Sequence, residues 1–242
     1  MKFKEKLANT LGVILIFLFL AIVSLLIENS YEKSVVQNNL MWISPIFFGV
    51  TLGLIVFSGV WSFKDVKKLF RVKKHVWLIL ILIFLLGTYL RVFVAPHTHR
   101  LYYDEDIYLN IGQNIAKEGR AILCNYGTRE KCFEGIYNKQ PNGYPFLMSF
   151  LFLLGFGESE AHYVTALLSS FTILLVFMIA YLLFDDWKVG IFSALYFSLI
   201  PVSIRWAPTT SAGSVSVLFM SFAFFSFLSY YKTKKLPLLL LS

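Results

Sequence analysis

The sequence predicts an all-α, polytopic transmembrane helix bundle. Three observations lead there: 57% of the 242 residues are hydrophobic, only 15% are charged, and the charges collect between long windows that hold few or none. A soluble domain carries about 25% charged residues, and a helix needs roughly 20 apolar residues to cross the hydrocarbon core. The net charge is +8. A basic chain can serve nucleic acid, but here Lys and Arg form short clusters beside apolar windows, the pattern that orients membrane proteins. Membrane lipid is therefore the expected partner, and nucleic acid is not.

Taken in order, Asn9–Ile27, Leu40–Val60, Val76–Ala95, Tyr163–Phe184 and Ser211–Tyr231 are each long enough to span, with Val189–Ile204 as a shorter sixth. No small-residue cleavage site follows Asn9–Ile27, so it reads as retained. Leu236–Leu241 is apolar but too short to cross. It reads as the start of a further span, which makes this chain the expected N-terminal part of a longer protein.

Pro145–Phe156 is also apolar and too short to span; segments of that length are more often re-entrant or interfacial. The loop charges test this. Lys2, Lys4 and Lys6 precede the first span, Lys64, Lys67, Lys68, Arg71, Lys73 and Lys74 follow the second, and Lys232, Lys234 and Lys235 follow the last. These clusters share one side only if 145–156 does not cross. The expected arrangement is a multi-pass cell-membrane protein with a cytoplasmic N-terminus and an extracytoplasmic loop 96–162. Residues 1–75 hold two helices and a basic cytoplasmic loop; 76–242 form the remainder.

Inside the long outer loop, Ile107, Ile111 and Ile115 recur every four residues. Asp106, Asn110, Gln113, Asn114 and Lys117 face the other way, and Gly119 suits a C-terminal stop. The pattern predicts an amphipathic helix able to lie on the membrane surface. Three acids, Asp104, Glu105 and Asp106, sit at its start. Acids favour a helix N-terminus through capping and the dipole. A carboxylate held at the membrane surface can also accept a proton from a substrate hydroxyl.

The string RLYYDEDIYLNIGQNIAKEG, followed by QPNGYPFLMSFLFLLGFG over 140–157 and FGESEAHYVTALLSS over 156–170, resembles the first outer loop of GT-C-fold glycosyltransferases. It is most similar to the protein O-mannosyltransferase and aminoarabinose-transferase branch, and the resemblance covers roughly residues 76–231. Asp104, Glu105 and Tyr108 match that branch's DExxY. The resemblance implies a polytopic enzyme that moves a hexose or pentose from a polyprenyl-phosphate carrier to a protein, lipid or glycan hydroxyl. It assigns the catalytic base to Asp104, with Glu105 in support and Tyr108 and Asp106 on the substrate. It makes residues 76–242 the N-terminal portion of such a membrane domain. Family members often carry an Arg near the start of the span after the Phe-Gly; this chain offers His162 there. Arg205, Arg100, His97 and His99 are the other candidates for the lipid phosphate, each alternatively an interfacial anchor.

Asp104-Glu105-Asp106 is also a D-x-D, which oligosaccharyltransferases use to hold a divalent cation. A metal is therefore possible but not expected, and no cofactor is assigned beyond the lipid-linked sugar. Cys124 and Cys132 lie in the same loop; outside the cytoplasm they suit a disulfide, with two free thiols as the alternative. Rival readings are a transporter or lipid-binding scaffold, which would carry polar groups mid-membrane, and an inactive remnant. Arg91, late in its span, is the one deep charge and is expected near the outer edge.

Overall fold

The computed structural model describes residues 18–19, 21–26, 30–70, 72–97, 103–128 and 132–242. Most of the first expected span, Asn9–Ile27, lies outside them, as do His99 and Arg100. The chain is predominantly helical, and among the described residues four helices are long and apolar enough to cross a membrane. We label them with their neighbours in order. α1 is Lys33–Leu69 and α2 is Lys74–Tyr89, which runs on into a π-helical turn at Leu90–Val94. α3 is Tyr103–Glu118, β1 Leu123–Gly127, β2 Cys132–Ile136 and α4 Gly143–Leu153. α5 is Glu158–Phe184, α6 Trp187–Leu199, α7 Pro201–Trp206, α8 Ala212–Thr233 and α9 Leu236–Leu240. The span-length helices are α1, α2 with its π turn, α5 and α8. The molecule is membrane-embedded on that composition.

Helix ends follow local chemistry. α5 opens where the Gly157 N–H donates to Glu160 Oε2 at 2.8 Å. It closes at Asp185, whose backbone is left-handed (φ 52°) and whose N–H donates to Tyr181 O. Asp186 then caps α6 by accepting from the Lys188 N–H at 2.8 Å. α1 outruns the expected Leu40–Val60, continuing through Lys64, Lys67 and Lys68, because Lys is a good helix former.

One expected span is corrected. Val189–Ile204 is two helices, not one, because Pro201 has no N–H for the ladder and pushes Ile200 into extended backbone (ψ 116°). α6 stops at Leu199 and the short α7 starts on the proline.

Two of the four core clusters among the described residues frame the bundle. Val76, Leu80 and Ile83 of α2 meet Ile173 and Phe177 of α5 and Ala194 of α6. In the other, Tyr108 and Leu109 of α3 pack with Tyr144, Met148 and Leu151 of α4, Ala161 and Val215. α4, at 11 residues, is about 16 Å long and so falls short of the hydrocarbon thickness, as expected for 145–156.

The long segment between α2 and α4 differs from the expectation in two ways. It contains an antiparallel hairpin, pairing Leu123 with Ile136 and Cys124 with Gly135, within an otherwise helical chain. And α3 does not present its apolar stripe to lipid. Ile111 and Ile115 are buried with Phe146 of α4, against Phe48 and Leu52 of α1.

The polar stripe is corrected too. Asn114 is 7% exposed and donates to Ile122 O at 3.0 Å. Asn110 Oδ1 accepts from the Cys124 N–H at 2.8 Å, and Glu118 Oε1 from the Cys132 N–H at 3.1 Å. Residues 110, 114 and 118 recur every four positions, so one face of α3 holds the hairpin backbone. Gly119 ends the helix with φ 69°, as predicted.

Cys124 and Cys132 form a disulfide across the hairpin. In denatured, unreduced protein, a maleimide is expected to label no cysteine, and to label both after reduction; intact mass reads the difference. Labelling before reduction would show two thiols instead.

The bundle separates its charges. Asp65 of α1 accepts from Lys68 at 3.1 Å and pairs with Lys235 at 3.8 Å, which brings the two basic clusters to one end. Thr210 and Lys235 flank opposite ends of α8, whose 22 residues span about 33 Å. The acids of α3 lie at the Thr210 end.

Candidate active site

α3 begins at Tyr103, so Asp104, Glu105 and Asp106 all occupy its first turn. That placement stabilises each carboxylate through the N-terminal dipole. Helical geometry then sends the three side chains in different directions. Asp106 is exposed, Asp104 is half-buried and Glu105 is 2% exposed.

Each of the two inner acids is held by a distant segment. The Gln140 side-chain amide donates to Asp104 Oδ1 at 3.1 Å. Gln140 stands just before the Pro141-Asn142-Gly143 turn that starts α4, so the turn aims it at α3. The Thr210 hydroxyl donates to Glu105 Oε2 at 3.0 Å. Thr210 is itself 1% exposed and lies in the loop between α7 and α8. Asp104 is thus held in place and still reachable, while Glu105 is locked inward.

Two tyrosines stand behind the acids. Tyr108, one turn along α3, meets Tyr144 edge-to-face with ring centres 5.7 Å apart. Burial, aided by the Asp104 charge, raises the Tyr108 phenol above its usual range. The Tyr144 phenol is raised strongly, by burial first, with the Glu105 charge adding to it. Both phenols are neutral at physiological pH. Tyr144 Oη and Thr165 Oγ1 are 2.7 Å apart, and Thr165 already donates to Ala161 O at 2.8 Å. The Tyr144 hydroxyl is therefore the donor to Thr165, which ties α4 to α5.

His162 is 1% exposed and its Nδ1 lies 2.7 Å from Pro208 O. It fixes the same 207–211 loop that carries Thr210. Its position near the start of α5 turns it toward that loop, which sequence distance alone conceals. His97 packs on Tyr163 with ring centres 4.8 Å apart. Arg205 is exposed on α7. Arg100 lies outside the described residues.

Sequence reading passed over Gln140, Tyr144, Thr165 and Thr210. Each sits at a place with a legible signal: a Pro-Asn-Gly turn, a helix start, a hydroxyl inside an apolar span, and the Thr209-Thr210-Ser211 break between two apolar windows.

Beside Tyr144 a cavity of about 410 Å³ opens between α1, α4 and α8. Its walls are mainly apolar, with Phe48, Leu52, Ile55, Leu147, Phe219 and Met220 among them. Pro141, the neighbour of Gln140, also lines it.

Replacing Thr210 by Val keeps the volume and removes the donor to Glu105. The buried carboxylate then has one partner fewer, at a cost of about 1–3 kcal/mol. Thermal unfolding in detergent is expected to show the loss. An unchanged melting temperature would mean that Glu105 draws its stabilisation elsewhere.

No protein-family model, curated protein or solved structure matches the chain, so the site stands on its own geometry.

Proposed function

We propose that the protein is a membrane glycosyltransferase of the GT-C type, moving a hexose or pentose from a polyprenyl-phosphate carrier to an acceptor hydroxyl at the extracytoplasmic face. The observation that carries this reading is the pairing of a half-buried, positioned carboxylate, Asp104, with an apolar cleft that reaches Tyr144. An isoprenoid chain suits the cleft walls, and a half-buried, positioned carboxylate suits proton abstraction.

In the proposed step Asp104 takes the proton of the acceptor hydroxyl. The acceptor oxygen forms a bond to the anomeric carbon from the face opposite the phosphate. The anomeric carbon–phosphate oxygen bond breaks, its electron pair leaves with polyprenyl phosphate, and the configuration inverts. The departing phosphate needs positive charge beside it; Arg205 and Arg100 are the cations assigned to it. Glu105, held by Thr210, keeps the first turn of α3 in place.

The separation of basic clusters from the acidic turn along α8 supports the sidedness. With the lysines cytoplasmic, the acids face outward.

The test is transfer by the full-length protein in proteoliposomes, from radiolabelled polyprenyl-phosphate hexoses and pentoses to peptide, lipid and glycan acceptors. Turnover with inversion is expected. Donor binding with no turnover across the panel would overturn the reading and leave a lipid-binding scaffold.

A further inference from the structure

Arg91 is the largest fully buried side chain, with no exposed surface, and it lies in the last turn of a span-length helix that ends at Val94. Burying a guanidinium is costly, and among the described residues no carboxylate pairs with it. Its donors go to main-chain and hydroxyl oxygens instead. Nη1 donates to Gly87 O and Ser198 O, both at 3.1 Å. Nη2 donates to Phe197 O at 3.0 Å and Ser203 Oγ at 2.9 Å. The guanidinium also lies 5.4 Å from the Phe197 ring centre.

These acceptors share a cause. In a continuous helix Phe197 O would accept from the N–H of residue 201, and that residue is Pro201, which has none. Ser198 O is the next carbonyl along the same interrupted ladder. Arg91 supplies donors to both orphaned carbonyls and to the first turn of α7 through Ser203. The π turn at Leu90–Val94, closed by the Ala95 N–H on Leu90 O, carries this side chain; such turns often mark functional positions. Gly87 leaves the room: a Cβ there would stand 3.2 Å from Arg91 Nη1 and 3.0 Å from Ser198 Cβ, and would collide with Ile173 Cδ1.

The break matters because α7 leads directly into Pro208, which His162 holds, and Thr210, which donates to Glu105. We infer that Arg91 is a positioning residue that clamps the α6–α7 break and thereby keeps Thr210 seated on Glu105. The clamp stands without the transfer reaction; only its consequence for catalysis rests on that reading.

Two double-mutant cycles test it, read as melting temperatures of the full chain in detergent. In the first, Thr210→Val is placed in the native and the Arg91→Met backgrounds. The substitution is expected to lower the melting temperature by roughly 2–12 °C in the native background. It is expected to change it little in the Arg91→Met background, where the loop is already unseated. Equal losses in both backgrounds would overturn the inference. In the second, Pro201→Ala restores the missing N–H. It is expected to recover most of the loss from Arg91→Met, and no recovery would overturn the clamp. Should Arg91→Met fail to fold, Arg91→Gln keeps two N–H donors for the four acceptors and serves in both cycles. Neither cycle needs turnover, so a failure of the transferase reading leaves their outcome unaffected.

Discussion

Asp104→Asn is expected to reduce sugar transfer by about 10²–10⁴-fold, the range a positioned general base contributes, while the protein melts as the native chain does. The substitution is nearly isosteric. The Asn carbonyl can still accept from the Gln140 amide, which now donates to Asp104 Oδ1 at 3.1 Å, so the first turn of α3 keeps its anchor. What is lost is the basic oxygen and its charge. Glu105 cannot substitute, because it is 2% exposed and engaged by Thr210. Initial rates with saturating donor, set beside a melting curve of the same preparation, check the prediction. Native rates from the variant would remove Asp104 as the base, and with it the chemical part of the proposed function.

Gly190→Ala is expected to destabilise the bundle by about 1–3 kcal/mol, the usual cost of overpacking a core. For a chain of this size that corresponds to roughly 2–12 °C in melting temperature. A Cβ at Gly190 of α6 would stand 2.8 and 2.9 Å from Cδ2 and Cε2 of Phe177 and 3.1 Å from its carbonyl oxygen. The ring has little room to retreat. Phe177 is fully buried, between Trp77 at 6.0 Å and Tyr181 at 6.2 Å between ring centres. The carbonyl belongs to the α5 backbone, so relief requires α5 and α6 to separate. Small residues at helix contacts serve this close approach in membranes, where apolar burial alone does not drive helices together. Thermal unfolding checks it; a native melting temperature would mean the two helices part without cost.

The windows that became α2, α5 and α8 could be read from apolar length to within a few residues, because crossing a hydrocarbon layer imposes a length that no tertiary contact can alter. The break at Pro201 was legible in principle, since a missing N–H is a local fact, yet the apolar run across it reads as continuous. The polar side of α3 shows the reverse. The period of four in Ile107, Ile111 and Ile115 was visible, but Asn110 and Asn114 opposite them look the same whether they face water or a hairpin backbone, and Glu118 was not singled out.

The acids were visible as a triplet, while the distinction among them was not. Asp104, Glu105 and Asp106 are adjacent and chemically alike. Gln140 lies 36 positions from Asp104, and Thr210 lies 105 from Glu105. Arg91 reads as a charge near the outer edge of its span until Phe197 and Ser198 are placed beside it, more than a hundred positions later.

By itself the sequence determined the membrane setting, the lengths of the main spans, the short reach of 145–156 and the position of the acids at a helix start. Those depend on apolar content, N–H availability and helix dipoles, which act within a turn or a span. The tertiary structure alone decided that Glu105 turns inward while Asp104 is held within reach, and that His162 and Arg91 meet backbone oxygens far along the chain. Partners distant in sequence meet only when the chain packs, and burial then assigns different work to side chains of the same kind.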